Sequence, residues 1–149
     1  MRTTQVLSII FRKKEDSYEF LLLKRIKEKG GFWQPPSGGV EDSDDSRLNA
    51  AFREVQEETT IKKEDILRVI ENIHSFKIKE HYITGEPINP ITEHVYGFEV
   101  GDDIKISIDN NVYPEHEEFK WVNFEKALEM LKWDNNKEGL IKLNSVLIQ

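Results

Sequence analysis

Residues 38–61, GGVEDSDDSRLNAAFREVQEETTI, constrain this chain more than any other stretch. Leu48, Ala51, Phe52 and Val55 recur at i, i+3, i+4 and i+7, so the spacing predicts a helix with one apolar face to bury. Ser46 is placed to cap it, with Asp44 and Asp45 near the positive end of its dipole. Glu54 and Glu58 stack four apart on one flank of the stripe, with Glu57 beside Glu58 and Arg53 just before them. Like charges at this spacing cost an exposed helix about 0.2–0.5 kcal/mol per pair. Two carboxylates about 4 Å apart near a protein surface repel by around 4 kcal/mol. A helix that keeps them needs compensation. Arg53 supplies part of it. A hard dication such as Mg²⁺ would supply the rest, because it takes a few carboxylate oxygens and shares its other positions with water and phosphate. The plain alternative is an acidic, solvated helix face.

These residues resemble the Nudix box, G-x5-E-x7-R-E-U-x-E-E-x-G-U, with Gly39, Arg53, Glu54, Val55, Glu57, Glu58 and Ile61 in register. Two positions depart from the pattern. Asp45 stands where it has Glu and is one methylene shorter, and Thr60 stands where it has its last Gly. Threonine lacks easy access to positive φ, so the turn after the helix is expected to differ from the usual one. Further segments, RIKEKGGFWQPPSGGVE, NPITEHVYGFEV, PEHEEFKWVNF and KWDNN, look like the dihydroneopterin triphosphate pyrophosphohydrolase branch of that family, also described as acting on dATP.

The resemblance implies an α/β/α sandwich with a mixed central sheet. It also implies a Mg²⁺-dependent hydrolase, with Mn²⁺ an alternative ion, that cleaves a nucleoside-triphosphate-like substrate, dihydroneopterin triphosphate or a (d)NTP, to a monophosphate and pyrophosphate. By the same resemblance Glu54 and Glu58 are the principal metal ligands, Glu57 is a further ligand or orients water, Arg53 orients the glutamates, and Gly39 lets backbone approach the site. Glu115 would bring a metal-binding carboxylate from another part of the chain, while Arg25 and Ser37 match substrate-binding positions. The residues themselves leave bland readings open: a loop charge for Glu115, with Glu117 and Glu118 blurring the register, a surface cation for Arg25 and an ordinary loop serine for Ser37.

Trp33 offers a face for a base or pterin, and Lys132, Trp133 and Asn135 could close the far side of a pocket. A rim or core tryptophan and a plain connection between helices explain them as well. His116 is either a base or a surface residue, and His74, His81 and His94 show no ligand spacing. A dinucleoside polyphosphate or nucleotide-sugar hydrolase is the rival enzyme. A binding module without turnover is the second alternative, and its expected mark, loss of the box glutamates, is not found here. Family isomerases rely on a cysteine, which this chain lacks.

With 149 residues the chain is expected to form one domain. The absence of cysteine excludes disulfides and thiolate chemistry and fits a reducing cytosol. MRTTQVLSIIF carries too short an apolar run for a signal sequence or membrane span. A net charge of −7 opposes nucleic acid binding, so a phosphorylated small molecule has to be met by metal and local cations. Oligomeric state is left open.

Strands are expected at Thr4–Phe11, Tyr18–Lys24, Ile66–Ile78, Thr92–Val100, Lys105–Ile108 and Glu118–Phe124. Gly30, Gly31, Pro35 and Pro36 break regular structure before the box, and Lys79–Pro90 reads as a loop. Later helices are expected from about Glu125 to Leu131, capped by Asn123, and from about Asn136 to Leu147, burying Leu140, Ile141, Leu143 and Leu147. Helices between strands without regular βαβ alternation predict a mixed sheet held between helices.

Overall fold

Alternation along the first strand sorts the core into two layers. In the computed structural model, which describes residues 3–109 and 114–149, β1 (Thr4–Lys14) sends Leu7, Ile9 and Phe11 to one side and Val6 and Ile10 to the other. The first set packs with Phe20, Leu22, Val95, Leu140 and Leu143, and the second with Leu21, Leu23, Ala51, Val55 and Phe98. A strand buried on both faces explains the nearly unbroken apolar runs VLSIIF and FLLL.

The remaining elements follow as β2 (Ser17–Arg25), β3 (Trp33–Gln34), β4 (Ser37–Gly39), α1 (Arg47–Thr59), β5 (Ile66–Glu80), β6 (Pro87–Val100), β7 (His116–Val122), α2 (Phe124–Met130) and α3 (Asp134–Leu147). The seven strands make one mixed sheet in which β1 runs parallel to β6, and the other pairings are antiparallel. Residues of α1 belong to one core layer and residues of α2 and α3 to the other, which is the expected α/β/α sandwich.

On one edge β1 changes partner. Phe11–Lys14 pair with β2, whereas Gln5–Leu7 pair with β4. β2 continues instead with β3 on that side and with β7 on the other. The partner change lets the Pro35-Pro36 turn and β4 enter between β1 and β2, and it opens a cleft beside β4.

Several expectations are corrected. The breaker-rich stretch before the box holds a 3₁₀ turn (Lys27–Lys29) and the two short strands β3 and β4. The loop expected at 79–90 shrinks to residues 81–86, because β5 and β6 extend into it. Pro87 and Pro90 are tolerated there because β6 meets β1 only from Thr92 onward, so no amide hydrogen is required on that side. Lys105–Ile108 is not a strand. The stretch packs Ile104, Ile106 and Ile108 onto the α1 core layer, and among the described residues its backbone bond is Ser107 N–H to the Thr59 carbonyl at 3.1 Å. β7 starts earlier than expected, at His116, and stops at Val122, leaving Phe124 to begin α2. Ile141 is exposed on α3, while Leu140, Leu143 and Leu147 are buried.

Both predicted caps form: Ser46 Oγ accepts from Asn49 N–H at 3.0 Å, and Asn123 Oδ1 from Lys126 N–H at 2.8 Å. Thr60 corrects the expectation of a different turn. It adopts the left-handed conformation itself, at φ 67°, and its N–H closes onto the Gln56 carbonyl.

Candidate active site

Arg53 binds both ends of the loop that leads into α1. Its Nε and Nη2 donate to the two Asp44 carboxylate oxygens, each at 2.9 Å, and Nη2 also donates to the Gly39 carbonyl at 3.0 Å. Nη1 reaches Glu54 Oε1 at 3.0 Å and both Glu57 oxygens at 3.4 Å. The hydrogen bonds to Arg53 hold the Asp44 carboxyl below its usual range, and the same bonds raise Arg53 further. Asp44 is therefore the carboxylate this fork grips, and Asp45 lies exposed beside it. The signal for Asp44 was its place nine residues before an arginine, which needs the loop geometry to be interpreted.

β4 brings the helix glutamates against the sheet. Gly38 pairs with Val6, and a Cβ added to Gly38 would land on the Glu54 carboxylate. Gly38 is thus a position of close approach, one residue before the Gly39 named from the sequence. Gly39 contributes its carbonyl to Arg53. Burial pushes Glu54 up to about 7, with Glu57 and Glu115 adding repulsion against the pull of Arg53.

Glu58 is more deeply buried, at 5% exposure, and among the described residues neither of its oxygens has a hydrogen-bond partner. Desolvation first, then the charges of Glu54 and Glu115, push its carboxyl well above the ordinary range. The nearby Ser37 amide, short of a well-formed hydrogen bond, and the Arg25 charge pull the other way. Glu115 and His116 reach this group from the other half of the chain. β2 pairs with β7 so that Arg25 faces His116, and Ile26 N–H donates to the Glu115 carbonyl at 2.9 Å. One ligand atom from each of Glu58, Glu115 and His116 lies within 4.8 Å of the others. His116 Nε2 is 3.9 Å from Glu58 Oε1, and burial brings the imidazole down to about 4, so it is neutral near pH 7. Lys29 Nζ lies 3.4 Å from Glu115.

These residues fit a divalent cation. Two unpartnered, desolvated oxygens on Glu58, with further carboxylates facing them, form a hard donor set whose repulsion a 2+ ion would relieve. Glu57 is half exposed on the Arg53 side and lies outside the group of three.

A cleft of about 700 Å³ reaches this group at Glu115. Arg25, Ser37, Gly38, Glu115 and Asn135 line it, as do Phe32, Tyr82 and Trp133, of which only Trp133 was singled out in the sequence. Arg25 is held in place by donating to the Lys29 carbonyl at 2.8 Å and to the Tyr82 hydroxyl at 3.3 Å. Trp33 lies elsewhere. Opposite Lys24, it packs into the α2 and α3 core layer with Lys120 over its ring, so Phe32 takes the place expected for it. Lys132 is outside the lining, with its ammonium over the Phe32 and Trp133 rings. Tyr82 came from a stretch with no strand or helix signal, and Phe32 was hidden by the more conspicuous tryptophan next to it.

Glu93 also lines the cleft, on β6 at 5% exposure. Burial alone pushes it up to about 7.

The family profile described as NUDIX domain matches residues 1–143. The chain is 30% identical over 112 residues to an RNA pyrophosphohydrolase of Pelagibacter ubique, covering 72% of this chain and 70% of that one. It is 31% identical over 142 residues to the dihydroneopterin triphosphate diphosphatase of Haemophilus influenzae, covering 92% and 84%. The crystal structure of a C. elegans Ap4A hydrolase binary complex superposes with a TM-score of 0.81 at 23% identity, covering 98% of each chain, which establishes the fold.

Proposed function

The chain belongs to the Nudix family of hydrolases acting on acid anhydrides, and from that premise we propose that it hydrolyses a nucleoside-triphosphate-like substrate, dihydroneopterin triphosphate or a (d)NTP, to a monophosphate and pyrophosphate. The observation that carries this reading is the buried, unpartnered Glu58 carboxylate facing Glu115 at the end of a cleft with aromatic walls.

In this reading Glu54, Glu58 and Glu115 hold Mg²⁺ or Mn²⁺, with Glu57 at the edge of the set. A bound divalent cation would neutralise charge on the phosphate oxygens. Arg53 keeps Glu54 and Glu57 oriented through its fork. Arg25, fixed by Lys29 and Tyr82, presents its guanidinium to the phosphate chain. Neutral His116 and the carboxylates around it are placed to accept a proton from an attacking water. Phe32, Tyr82 and Trp133 offer their faces to a flat ring.

The relatives act on different phosphoanhydrides by name, so the substrate is the part to test. A panel of dihydroneopterin triphosphate, the dNTPs, a dinucleoside tetraphosphate, a nucleotide sugar and a 5′-triphosphorylated oligonucleotide is assayed with Mg²⁺ and product identification. Fastest turnover of a triphosphate with release of pyrophosphate supports the proposal. Preference for the dinucleoside compound, the nucleotide sugar or the RNA end overturns the substrate. Negligible turnover of every compound overturns the hydrolase and leaves a binding module.

A further inference from the structure

The floor of the cleft carries a carboxylate that the phosphate chemistry does not use. Phe76, Glu93 and Gln5 form one row across β5, β6 and β1, on the same face as Leu7 and Val95. β4, which brings Gly38 against the Glu54 carboxylate, lies across β1 from β6, so Glu93 is about 10 Å from that strand. That spacing suits the ring end of a nucleotide whose phosphates sit near Glu58. Among the described residues Glu93 has no hydrogen-bond or ion-pair partner, although it is almost fully withdrawn from water. Such a group is costly to bury unless something else supplies hydrogen bonds to it. Gln34 lines the same cleft, and its buried Nε2 likewise has no partner. Aromatic walls stand around them: Phe32 meets Tyr82 at 6.1 Å and Trp133 at 5.5 Å between ring centroids.

We propose that Glu93 is the specificity-determining residue of this cleft, its two oxygens accepting the adjacent N–H donors of a 2-amino-4-oxopyrimidine edge, the edge shared by guanine and pterin rings. The Gln34 amide is the donor left for the oxo oxygen. This pattern of two donors and one acceptor matches the Glu93 carboxylate and the Gln34 amide that line the cleft. An adenine edge presents one amino donor beside a ring-nitrogen acceptor, so it would set a lone pair against a carboxylate oxygen. The inference rests on the proposed function, since it names the ring of that substrate.

Binding separates the two readings, because it needs no turnover. Affinities of GMP and AMP are measured by quenching of tryptophan fluorescence for the wild type, Glu93→Gln and Gln34→Leu, beside kcat/KM for dGTP, dATP and dihydroneopterin triphosphate. Glutamine offers one acceptor and one donor, so Glu93→Gln should lower the GMP-to-AMP affinity ratio at least tenfold and the dGTP-to-dATP ratio of kcat/KM with it. Gln34→Leu should lower the GMP affinity several-fold and so keeps the test open if Glu93→Gln does not fold. The higher kcat/KM of dGTP or of dihydroneopterin triphosphate tells which ring is the natural one. No preference for GMP in the wild type overturns the inference, as does equal loss of GMP and AMP. A loss that follows the ribose 2′-hydroxyl, seen by comparing GMP with dGMP, also overturns it, because it makes Glu93 a sugar contact. Turnover with an unchanged ratio defeats only the inference. A ratio that shifts in an enzyme turning over none of the panel defeats only the hydrolase.

Discussion

Glu58 and Glu93 are equally withdrawn from water, yet they are set in opposite surroundings. Glu58 sits in a crowd: Glu54 and Glu115 add repulsion to its desolvation, and a neutral imidazole faces it. Glu93 lies between Gln5 and Phe76 with no charge acting on it, and desolvation is the whole of its displacement. A solitary buried carboxyl can keep one proton until a ligand brings donors to both of its oxygens and the proton leaves. A crowded set cannot be relieved so simply, because several groups compete for protonation within a few ångströms. The comparison teaches that crowding, more than burial, marks a place built for a cation.

Exchanging charge for neutrality at Glu58 tests this contrast most severely. Glu58→Gln should lower kcat on the order of 10²–10³-fold and leave the melting temperature in chelator unchanged or higher, since a buried repulsion is removed. Mg²⁺ or Mn²⁺ should raise the melting temperature of the wild type and fail to do so in the variant. A variant that keeps its rate would take Glu58 out of the reaction.

Glu93 should add its own part to a pH dependence of stability, beside those of Glu54 and Glu58, whose carboxyls burial also raises. Its folded value, about 7, lies above its ordinary 4.5, so between those limits the native state binds the extra proton. Its contribution to stability should therefore be complete below about pH 4.5 and be lost as pH rises through 7, by up to about 3 kcal/mol. Denaturant titrations of wild type and Glu93→Gln across that window check it. Parallel curves would show that Glu93 is solvated.

A smaller effect is expected where helix and strand touch. Gly38→Ala should displace the Glu54 carboxylate and cost roughly tenfold in kcat, about 1.4 kcal/mol, with little change in stability because the obstructed group is the end of a flexible side chain. Smallest is the helix end. Thr60 holds φ 67°, a conformation that costs a side chain roughly 1 kcal/mol. Thr60→Gly should thus raise the unfolding free energy by about 0.5–1 kcal/mol, read from urea midpoints, without altering the rate.

The parts legible in the sequence were those written locally. Periodicity placed α1, single side chains marked the caps at Ser46 and Asn123, a continuous apolar run marked β2, and β-branched and aromatic runs marked β1, β5 and β6. The box glutamates were visible because their spacing is their geometry. Glu115 needed the resemblance, since nothing local distinguishes it from Glu117 or Glu118, and only the pairing of β2 with β7 sets it beside Glu58. Gly38, Phe32, Tyr82 and Glu93 were missed for a related reason. Each gains its meaning from a partner far away in sequence: a helix carboxylate, another ring or a neighbouring strand. Lys105–Ile108 misled because alternation records which face is buried and not whether a backbone partner lies alongside.

The parallel seam between β1 and β6 joins Thr4 to Thr92 and Arg12 to Val100, so it spans most of the first hundred residues. A nascent chain that has emerged only as far as α1 already owns Arg53, Glu54, Glu57 and Glu58, but it lacks the strand that floors the cleft and the segment that bears Glu115. Competence to recognise a substrate therefore arrives late in synthesis, and the acidic helix must wait for chain made long after it.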